Sequence, residues 1–442
     1  MRRLGTRHLW VLATLTAVAV SAVRPMVDNS LLWHVEAGKA QLAAGEVLRT
    51  DPFSFTFAGE PWRTQSWLAD IGYATLEGWM PNVAWIPWFL ALAGVAFLGL
   101  LAIEVYREAR SPAVVGIALA VLFVITTRFL VPRPVMLSLV AFAAVVVASR
   151  HRASHWTLPL LLWVWAAVHG SWVLGIGFLV LEAVRRRSRR FAVLSVASLV
   201  AASLTAHGLA VWQILWRFAL NRDALDVIQE WQRPDFLELQ FMPYLVAVVG
   251  IGIGVAQRRL TRSDLVVVVP FMLFGFTSAR ATLPALIVLV PYAVRPLRGA
   301  WSGAGTRSSL NVVIAGSLAA LAFVVLVAAE SGPNQDRFPV AAASFVDPGS
   351  TFHSDVVGGY LIYRGETVFV DDRAELYGAE FFRLFRDARD AKPGWEELFS
   401  EYAITTALLA VDDELADVLD MEGWRTLYRD DSFVVFETTD LP

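Results

Sequence analysis

Residues 27–68 read VDNSLLWHVEAGKAQLAAGEVLRTDPFSFTFAGEPWRTQSWL. This polar stretch follows directly on an apolar block, His8 to about Val27, and it is the longest polar interruption before residue 210. Between Asp28 and Glu77 lie seven acids but only three basic residues, Lys39, Arg49 and Arg63. Such a stretch, held between two apolar blocks with an Asp at the boundary, reads as a loop between membrane spans.

The rest of the chain agrees. Of 442 residues, 56% are hydrophobic and 17% charged, and the mean hydropathy of +0.54 is far above that of a soluble domain. Apolar blocks near the ~20 residues that cross a bilayer as a helix recur from residue 9 to residue 329. They are continuous runs, which fit helices and not the alternating strands of a membrane barrel. Because the chain has no cysteine, disulfides, thiolate metal sites and thiol nucleophiles are excluded. A net charge of −3, with no basic run interleaved with aromatics, argues against nucleic acid as a partner.

Eleven spans are expected, at about 8–27, 82–104, 112–130, 134–149, 156–168, 171–184, 191–209, 241–257, 264–279, 281–294 and 310–329. The first also resembles a cleavable signal, with Arg2, Arg3 and Arg7 ahead of it and Val20-Ser21-Ala22 behind; we expect it to be retained as a helix. Eighteen Lys and Arg fall in every second connection, against ten in the others up to residue 330. The positive-inside rule therefore places the N-terminus in the cytoplasm of a cell-membrane protein and the loop from Asp28 outside.

The expected fold is a polytopic α-helical membrane domain, residues 1–330, with outer loops 28–81 and 210–240, followed by a small extracytoplasmic α/β domain, 331–442. In the first loop, Leu31, Val35 and Leu42 fall on one side of a helix ended by Gly45, which predicts an amphipathic helix lying in the interface. A second such helix is expected at 65–76, and Trp62, Trp67, Trp79, Trp85 and Trp88 form an interfacial belt. In the tail, strands are expected at 350–353, 368–371, 404–409, 424–428 and 433–437, with helices near 380–389, 395–402 and 412–419. Gly358-Gly359-Tyr360 reads as a turn, and the Asp371-Asp372 pair reads as solvated, although it also offers oxygens to a divalent cation.

Asp28 is the sharpest candidate for chemistry. A carboxylate at a membrane edge can take a proton from an acceptor hydroxyl, but Asp is equally a favoured helix N-cap. His34 and Asp51 are candidates for the acceptor side; Asp51-Pro52 is also an ordinary turn opening. Arg128, Arg133 and Arg280 stand at span ends on the outer side, suited to gripping a phosphate or to snorkelling toward headgroups. In 228–236, IQEWQRPDF, Glu230 and Trp231 suit a sugar, and an interfacial loop accounts for them equally well.

On these residues the chain resembles the GT-C superfamily of polytopic glycosyltransferases, which contains protein O-mannosyltransferases and lipid A aminoarabinose transferases. The carriers are Asp28, the segment WHVEAGKAQLAAGEVLRTDPFS, and PWRTQSWL before the second span. VHGSWVLG, EWQRPDF and GGYLIYRGETVFVDDRAELYG mark a poorly characterised bacterial branch. The resemblance implies a polyprenyl-phosphate-linked sugar donor entering from the membrane lipids, an extracytoplasmic glycan, lipid or protein acceptor, and Asp28 as the acid acting on that acceptor. Many relatives carry two adjacent acids there, whereas this chain has Asp28-Asn29. An inverting, metal-independent transfer without a cofactor is therefore expected, and a divalent cation is not favoured. The alternatives are a lipid or glycan transporter and a non-enzymatic envelope assembly factor.

Overall fold

The computed structural model describes residues 4–213, 231–330 and 332–439. The chain divides into two compact units. Helix α1 (Thr6–Ser21) opens the first. The second takes up the chain at Pro25 and holds α2 (Asn29–Ala44) and α3 (Trp67–Trp79). From Trp85 the chain is again in the first unit, with α4 (Ile86–Ala109), α5 (Pro112–Phe129), α6 (Pro134–Arg150), α7 (Leu158–Val168), α8 (Trp172–Arg186) and α9 (Arg189–Ser203). After the segment outside the described residues come α10 (Met242–Ala256), α11 (Arg262–Gly275), α12 (Ala279–Ala293) and α13 (Ser309–Val327).

The first unit is helical because long apolar runs are punctuated by strong start signals. Ser111 and Ser188 cap α5 and α9 with their hydroxyls, and Thr261 and Asp264 form a capping box at α11. Proline stands in the first turn of α4, α5, α6, α7 and α10, where its missing N–H costs nothing. Helix α12 is buried along nearly its whole length and packs against α4, α10 and α11, whereas α13 lies mostly exposed and packs on α1. Of the helices expected to span, five segments are long and apolar enough to cross a membrane: 86–109, 112–129, 239–256, 279–297 and 309–327. Helices α1, α6, α7, α8, α9 and α11 run 11–17 residues, short of the ~20 that span without help. The apolar helices are compatible with a membrane protein.

At one end of this unit the acids and bases of four helices alternate with Arg295, which follows α12. Glu108 (α4) bridges Arg150 (α6) and Arg295, and Asp264 (α11) bridges Arg295 and Arg185 (α8), at 2.8–3.3 Å. Glu104 and Glu182, both fully buried, extend the chain to Arg150 and Arg185. Pairing is what makes such burial tolerable.

Among the described residues, the second unit is assembled from two distant stretches, residues 25–84 and 330 onward. Beyond α2 and α3 it contains β1 (Thr351–His353), α14 (Asp355–Tyr363), α15 (Ala374–Arg389), α16 (Trp395–Glu401), β2 (Thr406–Ala410), α17 (Glu414–Met421), β3 (Arg425–Arg429) and β4 (Phe433–Glu437). The strands form a sheet in the order β1-β2-β4-β3, parallel only between β1 and β2. Its core is aromatic, with Phe352, Phe369, Phe381, Phe385 and Phe399 packed together. The loop 28–81 thus folds with the C-terminal residues.

Three local expectations need correction. Helix α2 is not one-sided: Leu31 and Val35 are fully buried but Leu42 is 53% exposed, and Asn29–Val35 are buried on every side because α3 and α14 both cover the helix. Residues 368–371 make no strand; Val368 forms a single bridge to Ser54, and Phe55 and Thr56 take up the neighbouring carbonyls. Gly358 and Gly359 lie inside α14, where an added Cβ would stand 2.2 Å from the Val370 carbonyl oxygen and 2.3 Å from that of Asn29.

Candidate functional site

In the first unit, residues 231–241 fold over the ends of α5, α10 and α12. The Gln232 carbonyl accepts the Ala279 N–H at 2.8 Å, and Phe236 stacks on Tyr244 and meets Phe276 edge-on. A cleft of about 370 Å³ remains, lined by Arg128, Gln232, Arg233, Pro234, Asp235, Glu238, Phe241 and Ala279. Arg128 donates to Gln240 Oε1 at 3.1 Å and lies over the Phe241 ring. Arg280 lies over Trp231, 5.4 Å from the ring centre. Two exposed guanidinium groups line this cleft with amide and carboxylate neighbours, donors suited to a phosphate ester and acceptors suited to its hydroxyls.

Of the expected phosphate ligands, Arg128 lines the cleft and Arg280 stands beside its loop. Arg133 does not line it; it is the N-cap residue of α6. Glu230 lies outside the described residues.

In the second unit, Asp28 caps α2: its Oδ1 accepts the Leu31 N–H at 3.1 Å, and its side chain is partly exposed. The next residues face the C-terminal stretch. Asn29 donates to the Asp355 carbonyl and accepts the Tyr360 N–H, while Ser30 and Trp33 both donate to Asp372. One turn on, His34 Nδ1 lies 2.6 Å from Asp70 Oδ1, and Thr64 donates to Asp70 Oδ2 at 2.6 Å. The imidazole stacks on Trp33 at 3.6 Å and is 7% exposed. Asp70 accepting Nδ1–H selects the tautomer with Nε2 as the basic nitrogen.

Asp51 is 2% exposed and already fully engaged. Its oxygens take the Phe53 and Ser54 N–H groups, the Ser54 hydroxyl and, at 2.6 Å, Arg373 Nη1. Arg373 is fully buried and turns its other edge to Asp371, through Nε at 2.8 Å and Nη2 at 2.6 Å. Tyr377 donates to Asp371, and the guanidinium lies over Trp62 at 4.6 Å. Burial alone would lower the guanidinium, but the charge and hydrogen bonds of Asp371, with Tyr377 and Asp51, hold it well above its ordinary value. Burial and then the Asp371 charge push the Tyr377 phenol up. Asp371 is therefore not solvated, Asp372 is only part-buried, and Trp62, 3% exposed, belongs to this core and not to an interfacial belt.

No family model matches the chain, and no curated protein matches it. Its chemistry must be judged from its own residues. Among the described residues, no group of three or more His, Cys, Asp or Glu could hold a metal ion. The residues that sequence reasoning passes over are Asp70, Thr64 and Arg373. The available signal for Arg373 was Val368-Phe369-Val370 running straight into Asp371-Asp372-Arg373, an apolar run that carries its charges inward.

Proposed function

We propose that the protein is a membrane glycosyltransferase of GT-C type, moving a sugar from a polyprenyl-phosphate-linked donor to an extracytoplasmic acceptor. The reading includes eleven membrane crossings, a cytoplasmic N-terminus in the cell membrane and an extracytoplasmic second unit. The observation that carries it is the cleft: Arg128 and Arg233 beside Gln232, Asp235 and Glu238, with Arg280 next to the same loop. In the reaction the acceptor hydroxyl gives its proton to a carboxylate as its oxygen bonds to the anomeric carbon. The glycosidic bond to phosphate breaks, and the arginines receive the departing phosphate charge. Asp28, in the second unit, is the base that the sequence offers; the carboxylates of the cleft itself are Asp235 and Glu238.

Asn caps a helix as well as Asp does but takes no proton. Asp28→Asn is therefore expected to keep the wild-type melting temperature and lose transfer by roughly 10²–10⁴-fold, measured with purified protein and a radiolabelled polyprenyl-phosphate sugar. Arg128→Gln is expected to weaken retention of the polyprenyl phosphate by about tenfold or more. Transfer by Asp28→Asn at the wild-type rate would remove the catalytic assignment. One observation favours a second reading as a non-enzymatic assembly factor: Asp28 and Asp51 both already hold backbone N–H groups. That reading expects Asp28→Asn to leave every phenotype unchanged.

A further inference from the structure

The first unit carries a cationic face that the proposed transfer does not use. Helices α8 and α9 are joined by a tight link in which Arg187 takes a left-handed conformation (φ 48°) and the Ser188 hydroxyl caps α9. This turns Arg187, Arg189 and Arg190 outward at one tip, all exposed. The 3-10 turn Arg152–Thr157 packs against the same tip: His155 meets Phe191 edge-on at 4.9 Å, and Arg186 covers the Phe191 ring at 4.2 Å. Burial holds His155 below the usual imidazole range, and Arg190, Arg186 and Arg152 press the same way, so their charges converge here. Glu182 answers Arg186 and Arg185. Arg152, Arg187, Arg189 and Arg190 have no acidic partner among the described residues.

What surrounds the face says what kind of surface it meets. Trp156, on the same turn as Arg152, is 74% exposed. Along α9 an exposed apolar stripe, Val193, Val196 and Val200, starts one turn beyond Arg190, and along α8 another, Val180 and Val184, ends just before Arg187. Exposed valines are suited to lipid tails, an exposed Trp to the bilayer interface, and unpaired arginines at their end to the headgroup level.

We propose that this face, Arg152, Arg187, Arg189 and Arg190 with Trp156, binds the phosphates of anionic phospholipids. The test uses the delipidated full-length protein in detergent, titrated with phosphatidylglycerol and, separately, with phosphatidylcholine, and followed by native mass spectrometry. Wild type is expected to retain phosphatidylglycerol in preference. Arg152→Gln/Arg189→Gln/Arg190→Gln is expected to lose about fivefold in that preference for each charge removed, roughly 100-fold in all. The corresponding triple Lys variant, which keeps the charges, is expected to retain it, and it controls for folding. Trp156→Ala is expected to weaken both lipids alike. Equal retention of the two lipids by wild type, or an undiminished preference in the Gln variant, overturns the proposal. So does displacement of phosphatidylglycerol by millimolar inorganic phosphate, which would mark a site for the free anion.

Discussion

Replacing Arg373 by Met tests the core of the second unit. In the wild type one guanidinium faces two carboxylates, and the side chains of all three are inaccessible to solvent. The substitution deletes three charged hydrogen bonds of 2.6–2.8 Å and fills most of the volume with methylenes, so the loss is electrostatic more than steric. The two acids fare differently. Asp51 keeps three donors, Phe53 N–H, Ser54 N–H and the Ser54 hydroxyl, whereas Asp371 keeps only the Arg373 backbone N–H and the Tyr377 hydroxyl. Breaking a buried pair by removing one partner costs about 3–5 kcal/mol. Each kcal/mol shifts the midpoint of a domain this size by about 2–4 °C, so a drop of about 10 °C is expected. The assay is thermal unfolding of purified full-length protein, read by protease sensitivity of the C-terminal stretch. Because Asp371 bears the larger share, Asp371→Asn/Arg373→Met is expected to recover part of the loss, while Asp51→Asn/Arg373→Met recovers less. A midpoint within 2 °C of wild type for Arg373→Met would refute the reasoning.

Two further predictions concern the same unit. His353 is fully buried, with Nδ1 against the Ser354 carbonyl at 3.0 Å and Nε2 accepting the Phe369 N–H at 3.0 Å. Burial pushes its imidazole down from 6.5 to about 4, against smaller opposing effects of the Ser354 carbonyl and Asp371. As pH falls the unfolded chain takes the proton first, so this contribution is complete above about pH 6.5 and is lost by about pH 4. It amounts to about 3 kcal/mol. Urea unfolding across that range should show the slope in wild type and a flatter one in His353→Gln, which can keep both hydrogen bonds without titrating. Gly359→Ala drives a methyl into the Asn29 carbonyl oxygen, 2.3 Å away, and is expected to cost about 1–3 kcal/mol; a wild-type unfolding midpoint would show that α14 can move aside freely.

How far the chain could be read in advance follows from which signals are local. Strands β1 to β4 were legible from short apolar runs between turn residues, and α2 from its Asp28 and Gly45 ends. Helix α14 was not, because two adjacent glycines read as a turn, and only the close approach of Val370 and Asn29 explains why a helix needs them. The environment of α2 was also hidden, since its second cover comes from residues more than three hundred positions away. The same distance separates Asp51 from Arg373: a charge pair 322 residues apart leaves no spacing to recognise. At the candidate cleft, Arg128 and the loop after Trp231 were visible as residue types suited to phosphate and sugar. Their meeting at Ala279 depends on how α5, α10 and α12 pack.

The split origin of the second unit sets a timetable for its making. Residues 25–84 leave the ribosome first, and residues 85–329 must follow before the stretch containing Asp371, Asp372 and Arg373 is synthesised. At about 5–20 residues per second that is a wait of roughly 12–50 s. Throughout it, Leu31, Leu32 and Val35 lack the α14 cover of the finished protein, and Asp51 has no cation to meet. A nascent chain in that condition is a client for whatever shields apolar helices in its compartment, and premature termination between residues 84 and 355 leaves an orphan segment whose α2 lacks its α14 cover.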